Sequence, residues 1–197
     1  MSSVVLSGDT SGSVTLTVPA VAGTNTVTVP AGTGTVAVQG VSTNIVSGTA
    51  VASTSGTSID FTSIPSWVKR VTVMFNGVST SGTSNYLVRI GSGSVDTTGY
   101  SSSGLTQNAG GGLTAPSDST GFITLAPQTA ASACSGAMTI LNVSGNIWIS
   151  SGAVSGGTYG QVSGGTKTLA GTLDRVRITT VNGTDTFDAG SINILYE

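Results

Sequence analysis

The sequence predicts an all-β protein: a jelly-roll-like β-sandwich in its C-terminal part, preceded by an extended β-strand arm. Three observations lead there. Apolar and polar residues alternate with a period of two in many short runs, and a helical period is hard to find. Val and Thr, which suit a pleated surface, dominate those runs, and Ser and Thr together make up nearly a third of the chain. Only 7% of the 197 residues are charged, against about 25% in an ordinary globular protein. Disorder pairs low hydrophobicity with high net charge. Here mean hydropathy is +0.30 and net charge is −2, which predicts order with polar, uncharged surfaces.

The arm comes first. Thr15 to Thr24 reads TLTVPAVAGT and Thr26 to Thr35 reads TVTVPAGTGT. Seven of the ten aligned positions are identical, at an offset of eleven. Strands are predicted around Val14 to Val18, Val27 to Val29 and Thr35 to Gln39. Pro19 and Pro30 end the first two, because proline cannot donate to a ladder. The only apolar residues in these strands are small, so they gain too little to fold alone and are expected to complete their sheet with other copies of the chain. Val14, Val18, Pro19, Val27, Val29 and Pro30 are the assembly candidates.

Residues 10 to 59 hold no charged side chain, and every aromatic lies at Phe61 or beyond. That shift predicts an assembly segment over 1–48, a linker over 49–57 and a sandwich over 58–197. Strands of the sandwich are expected near Ser58–Phe61, Lys69–Phe75, Tyr86–Ile90, Gly121–Leu125, Ala137–Val143, Ile147–Ser150, Thr166–Leu169, Leu173–Thr180 and Ser191–Tyr196. Asn76-Gly77 and Asn182-Gly183 read as turns. Gly99 to Ala115 reads as the longest structureless stretch, a surface loop and a candidate contact site.

Composition also excludes function classes. Six Lys and Arg are scattered and the pI is near 4.7, so no basic footprint for nucleic acid exists. No apolar run approaches a membrane span, and the N-terminus lacks the pattern of a secretory signal. The single cysteine, Cys134, rules out an intrachain disulfide and reads as a small buried or loop residue. The chain has no histidine, which removes Ser-His and Cys-His nucleophile pairs. No cofactor is expected.

The residues that remain are few. Asp174, Asp185 and Asp188 form the one carboxylate cluster in sequence. Turn chemistry accounts for them, with Asp185 and Asp188 also candidates for Ca²⁺. A glycan-cleaving enzyme would need two such carboxylates across one bond. Trp67, Tyr100 and Tyr159 are candidates for ligand contact, since aromatic faces stack on sugars. Trp67 equally fits a cap on the core or an interface. Trp148 alternates with Ile147 and Ile149 and is read as facing a neighbouring subunit.

The phrase SGDTSGSVTLTVPAVAGTNTVTVPAGTGTV resembles a segment recurring in tail-fibre and other virion proteins of tailed bacteriophages. IDFTSIPSWVKRVTVMF and the ending FDAGSINILYE resemble the β-rich C-terminal region of similar phage proteins. The resemblance implies a structural protein of the virion, assembled in the host cytoplasm, with trimeric fibres and receptor-binding tips as the model. Typical tail fibres carry a large N-terminal attachment domain, whereas this chain begins almost directly with the repeat, which also fits a head fibre or a capsid decoration protein. The expected function is a non-enzymatic virion protein. Its leading form is a homotrimeric fibre or spike that contacts other virion proteins and displays a sandwich able to bind host-surface glycan. The alternatives are a cement protein on the phage head and, further off, a glycan-degrading enzyme or a cellular carbohydrate-binding module. Neither nucleic acid nor membrane is an expected partner.

Overall fold

A computed structural model describes residues 3–7, 13–17 and 45–197, apart from 109, 126, 128 and 131. The chain divides into two units, Met1–Val38 and Gln39–Glu197. In the first, β1 (Ser3–Ser7) and β2 (Ser13–Thr17) form an antiparallel hairpin whose register runs from Ser3 opposite Thr17 to Ser7 opposite Ser13. The strand expected from Val14 is thus present as β2. Its partner is a strand of its own chain, one that sequence reasoning did not anticipate. Val18, Pro19, Val27, Val29 and Pro30 lie outside the described residues.

Among the described residues the second unit holds fifteen strands: β3 (Val46–Ser47), β4 (Val51–Ala52), β5 (Ser58–Thr62), β6 (Arg70–Thr80), β7 (Tyr86–Ser92), β8 (Ser94–Val95), β9 (Tyr100–Gln107), β10 (Leu113–Thr114), β11 (Ser117–Asp118), β12 (Phe122–Leu125), β13 (Cys134–Ser144), β14 (Ile147–Ser155), β15 (Gly160–Thr168), β16 (Arg175–Thr180) and β17 (Phe187–Tyr196). They form two antiparallel sheets. The larger runs β10-β9-β15-β14-β13-β6-β17-β3, with β11 on β9 and β4 on β17. The smaller runs β12-β7-β16-β5, with β8 on β7. Four pairs nest in sequence: β6 with β17, β7 with β16, β9 with β15 and β13 with β14. A long hairpin rolled up on itself gives this nesting, as in a jelly roll. Here three of the four pairs share one sheet, which makes that sheet broad.

Alternation explains which face each strand buries. Val71, Val73 and Phe75 of β6, Met138 and Ile140 of β13, and Ile192 and Ile194 of β17 point inward. They belong to one core with Val88 and Ile90 of β7, Val176 and Ile178 of β16, and Ile59 and Phe61 of β5. Tyr100 meets Phe122 edge to face, with ring centroids 5.0 Å apart. Burying one such aliphatic side chain contributes about 1.5–3 kcal/mol, so this core, rich in Ile, Val and aromatics, supplies the stability that the uncharged surface does not.

Three expectations need correction. Residues 49–57 are not a linker. Val51 and Ala52 pair with Ile192 and Ser191, Ser53 is fully buried and its hydroxyl donates to the Ala189 carbonyl at 2.7 Å. Together with β3 they cover the outer edge of β17, an edge that would otherwise be free to pair. Gly99 to Ala115 is not a loop. Tyr100, Ser102 and Thr106 alternate inward along β9, but Ser and Gly hide that pattern because they carry no hydrophobic signal. Asn76-Gly77 is not a turn, since β6 runs through it. Gly77 (φ +63°) and Gly190 (φ +88°) form facing bulges in β6 and β17, and a Cβ on Gly190 would collide with the Gly77 backbone. Asn182-Gly183 does turn the chain between β16 and β17, with Gly183 N–H donating to the Thr180 carbonyl at 3.1 Å.

Candidate functional site

The larger sheet has the broader outer face, with ten strands against five. On β9, β15, β14 and β13 the outward side chains carry no charge. The register sets three ladders across these strands. Leu141 lies opposite Ile149, then Thr166, then Ser101. Thr139, Ser151, Gly164 and Ser103 form the middle row, and Ala137, Ala153, Val162 and Leu105 the third. Charges gather elsewhere. On the smaller sheet Arg177 donates twice to Asp60, both at 2.6 Å, and Arg175 donates to Asp174 at 2.7 Å.

One end of this face is apolar. Leu141 (36% exposed), Val143 (57%), Ile147 (40%) and Ile149 (41%) stand on the β13–β14 hairpin, and Trp67 is 50% exposed. Trp67 packs against Tyr196 with centroids 6.0 Å apart. It shares a shallow depression with Lys69, Arg70, Leu141 and Asn142. At that corner Arg70 pairs with Glu197, and Lys69 Nζ donates to Asn142 Oδ1 at 3.2 Å. Clustered exposed apolar side chains rimmed by polar residues mark contact sites on soluble proteins.

The other end holds a cleft of about 940 Å³. The β9–β10 turn and the β14–β15 turn wall it, and Leu105 and Val162 lie between them. In the first turn Asn108 N–H donates to the Gly112 carbonyl at 2.9 Å; in the second, Gly156 N–H donates to the Tyr159 carbonyl at 3.0 Å.

The aromatic candidates fall in different places. Tyr159 lines the cleft but is only 6% exposed, so its ring belongs mainly to the core. Tyr100 is a core residue: its hydroxyl accepts Ile90 N–H at 2.8 Å and donates to the Ile90 carbonyl at 3.0 Å. Burial holds its phenol well above the usual range. Its ring also carries Lys167 Nζ at 5.2 Å from the centroid, and that ammonium bonds Asp96 at 2.8 Å. Tyr100 is therefore unavailable for ligand contact. Trp67 remains exposed. Trp148 faces inward at 3% exposure, so the neighbours Ile147 and Ile149 are the ones that face out.

The aspartates do not converge. Among the described residues, no three His, Cys, Asp or Glu side chains group as a metal site. Asp185 accepts from Ser84 N–H at 3.0 Å and from the Asn182 amide at 2.7 Å, and Asp188 accepts from the Ser79 hydroxyl. Arg175, and then the Gly93 N–H, hold the Asp174 carboxyl below its ordinary value. Cys134 is fully buried, and burial pushes its thiol up to about 12.

Sequence reasoning missed the apolar hairpin and met the cleft only in pieces. The first had a signal: ILNVSGNIWI places apolar residues on both faces of two paired strands, and a strand apolar on both faces has both covered in its working state. The cleft was touched only in part: Gly99–Ala115, read as a loop and contact candidate, supplies Leu105, Gln107, Asn108 and Leu113, and Tyr159 lies in the other wall. Comparison with known protein families, with curated proteins and with solved structures finds no match.

Proposed function

We propose that this chain is a non-enzymatic structural protein of a bacteriophage virion, a homotrimeric fibre or spike whose N-terminal segment anchors it to other virion proteins. The observation that carries the reading is the apolar end of the uncharged face: Leu141, Val143, Ile147, Ile149 and Trp67, partly exposed on the surface of a sandwich that already has a complete core. Such a patch contributes to stability only when covered. A second copy suits it, because the outward side chains of β13 and β14 carry no charge and meet their like without repulsion, while the cations at the Trp67 corner are engaged by Glu197 and Asn142. The resemblance of the N-terminal phrase to phage virion proteins supplies the setting. The absence of histidine and the separate engagement of each aspartate at the C-terminal end support a binding and assembly role over hydrolysis.

Light scattering on the purified chain tests the reading, with a trimer mass at micromolar concentration as the expected result and a monomer as the refuting one. Labelling the protein on particles tests the setting. A few to dozens of copies at a tail or vertex fits a fibre, and hundreds over the shell would replace it with a capsid decoration protein.

A further inference from the structure

We propose that Lys69 and Asn142 are the two halves of an isopeptide cross-link, closed when the apolar end of the face is covered. The bond ties the start of β6 to its neighbour β13, and it rests on the trimer reading for the event that closes it. The two residues meet at the end of the sheet. Asn142 N–H donates to the Lys69 carbonyl at 2.8 Å, which sets them opposite each other. Lys69 Nζ then donates to Asn142 Oδ1 at 3.2 Å. The carboxamide is held for that approach, because Asn142 Nδ2 donates to the Gly145 carbonyl at 2.9 Å and to the Ile147 carbonyl at 3.2 Å. An amine kept beside a fixed carbonyl has the proximity and orientation of an intramolecular reaction. A carboxylate completes the set. Glu197 lines the same depression as Lys69, Asn142, Trp67 and Leu141, and its carbonyl accepts Lys69 N–H at 2.7 Å.

The charge on Lys69 supplies the reason. Among the described residues Arg70 pairs with Glu197, Lys167 with Asp96, Arg175 with Asp174 and Arg177 with Asp60. Lys69 enters none of these pairs and meets only the neutral Asn142 amide. In the free chain Lys69 is exposed, and water carries its charge. Trp67 and Leu141 share its depression, so the contact that covers them strips water from the ammonium as well. A charge buried without a counter-charge is costly, and the group sheds its proton instead. The neutral amine is a nucleophile. Nζ attacks Cγ of Asn142 and the new carbon–nitrogen bond forms. The bond from Cγ to Nδ2 breaks, and Nδ2 leaves as ammonia. The Glu197 carboxylate takes the proton from Nζ and returns it to Nδ2. The product is a neutral amide, so the covered corner keeps no unpaired cation at Lys69.

The test is the intact mass of the denatured full-length chain, taken from the trimer and monomer fractions of a size-exclusion run. Chains from the trimer should be lighter by one ammonia, about 17 Da. Their tryptic digest should hold a branched peptide that joins Lys69 to Asn142. Lys69→Gln, a neutral change at an exposed position, should still assemble and keep its full mass. Glu197→Gln should slow the loss by about 100-fold or more, the usual share of a positioned proton carrier. Trimer chains at full mass would overturn the inference, and so would an equal loss of mass in Lys69→Gln. A parent that is monomeric and at full mass would overturn the cross-link and the trimer together. A parent that is monomeric yet lighter would keep the cross-link and refute the trimer as the event that closes it.

Discussion

Replacing Ile149 with Asp should dissociate the proposed trimer and leave the sandwich folded. Ile149 stands on the outer face of β14, opposite Leu141 and Thr166, and is 41% exposed. Full burial of an Ile is worth about 1.5–3 kcal/mol, so covering the exposed two-fifths contributes about 0.6–1.2 kcal/mol per copy. Three copies lose about 2–4 kcal/mol. A carboxylate on each also brings like charges to an interface where the outward faces of β13 and β15 present no cation, which costs several kcal/mol more. The sum, about 6 kcal/mol or above, lowers the trimer association constant at least about 10⁴-fold. Within one chain the same change costs at most about 1 kcal/mol of strand preference, because the side chain is not part of the core. Sedimentation velocity at micromolar concentration should show a trimer for the parent and a monomer for Ile149→Asp, with both chains melting cooperatively. A folded variant that sediments as a trimer would refute the placement of the interface on this hairpin.

Three further outcomes follow from other parts of the fold. Asp96→Asn should destabilise the chain by about 1–3 kcal/mol in urea unfolding, because it leaves Lys167, only 7% exposed, with a carbonyl but no carboxylate; Asp96 itself is partly exposed, so the loss stays below that of a fully buried pair. Cys134 should resist iodoacetamide in the native protein at pH 8, since burial keeps its thiol protonated up to about pH 12, and should react at once in denaturant; fast native labelling would place it at the surface. Deleting residues 1–38 should leave a chain with a cooperative melt that no longer incorporates into particles, whereas deleting 1–57 should also lower the melting temperature, because it strips β3, β4 and Ser53 from the edge of β17. Equal melting temperatures for the two deletions would mean that residues 45–57 add nothing to the sandwich.

The fold class was legible because β-branched alternation is a local property. Val71, Val73 and Phe75, or Val176 and Ile178, announce an inward face without knowledge of any partner. What stayed hidden depends on partners. β9 reads as loop because Ser, Gly and Thr suit a turn as well as a strand; its neighbour β15 decides the matter by supplying a ladder from Gly160 to Lys167. Asn76-Gly77 carries a hairpin signal, yet Ala189-Gly190 on β17 bulges opposite it and lets both strands continue. Residues 49–57 look like a linker because small residues need little burial, and only the exposed edge of β17 gives Val51 and Ala52 a place.

The candidate site was less legible for the same reason, and the two hairpin strands show where the signal lay. In ILNVSGNIWIS the eye goes to Trp148, the largest side chain, as the outward contact. Strand geometry allows either Trp148 or its neighbours to face the core, never both. The core takes Trp148 with Ile140, which lies on the adjacent strand opposite Ser150, and that choice turns Leu141, Ile147 and Ile149 outward together. A single strand with such a composition could be an accident of packing. Two paired strands that both place aliphatic side chains on the solvent side, next to rows of Ser and Thr that carry no charge, form a surface that water alone does not suit. The placement of Trp148 in the core therefore shifts the proposed assembly contact from one aromatic residue to the aliphatic side of the hairpin, and Ile149→Asp is the substitution that separates the two.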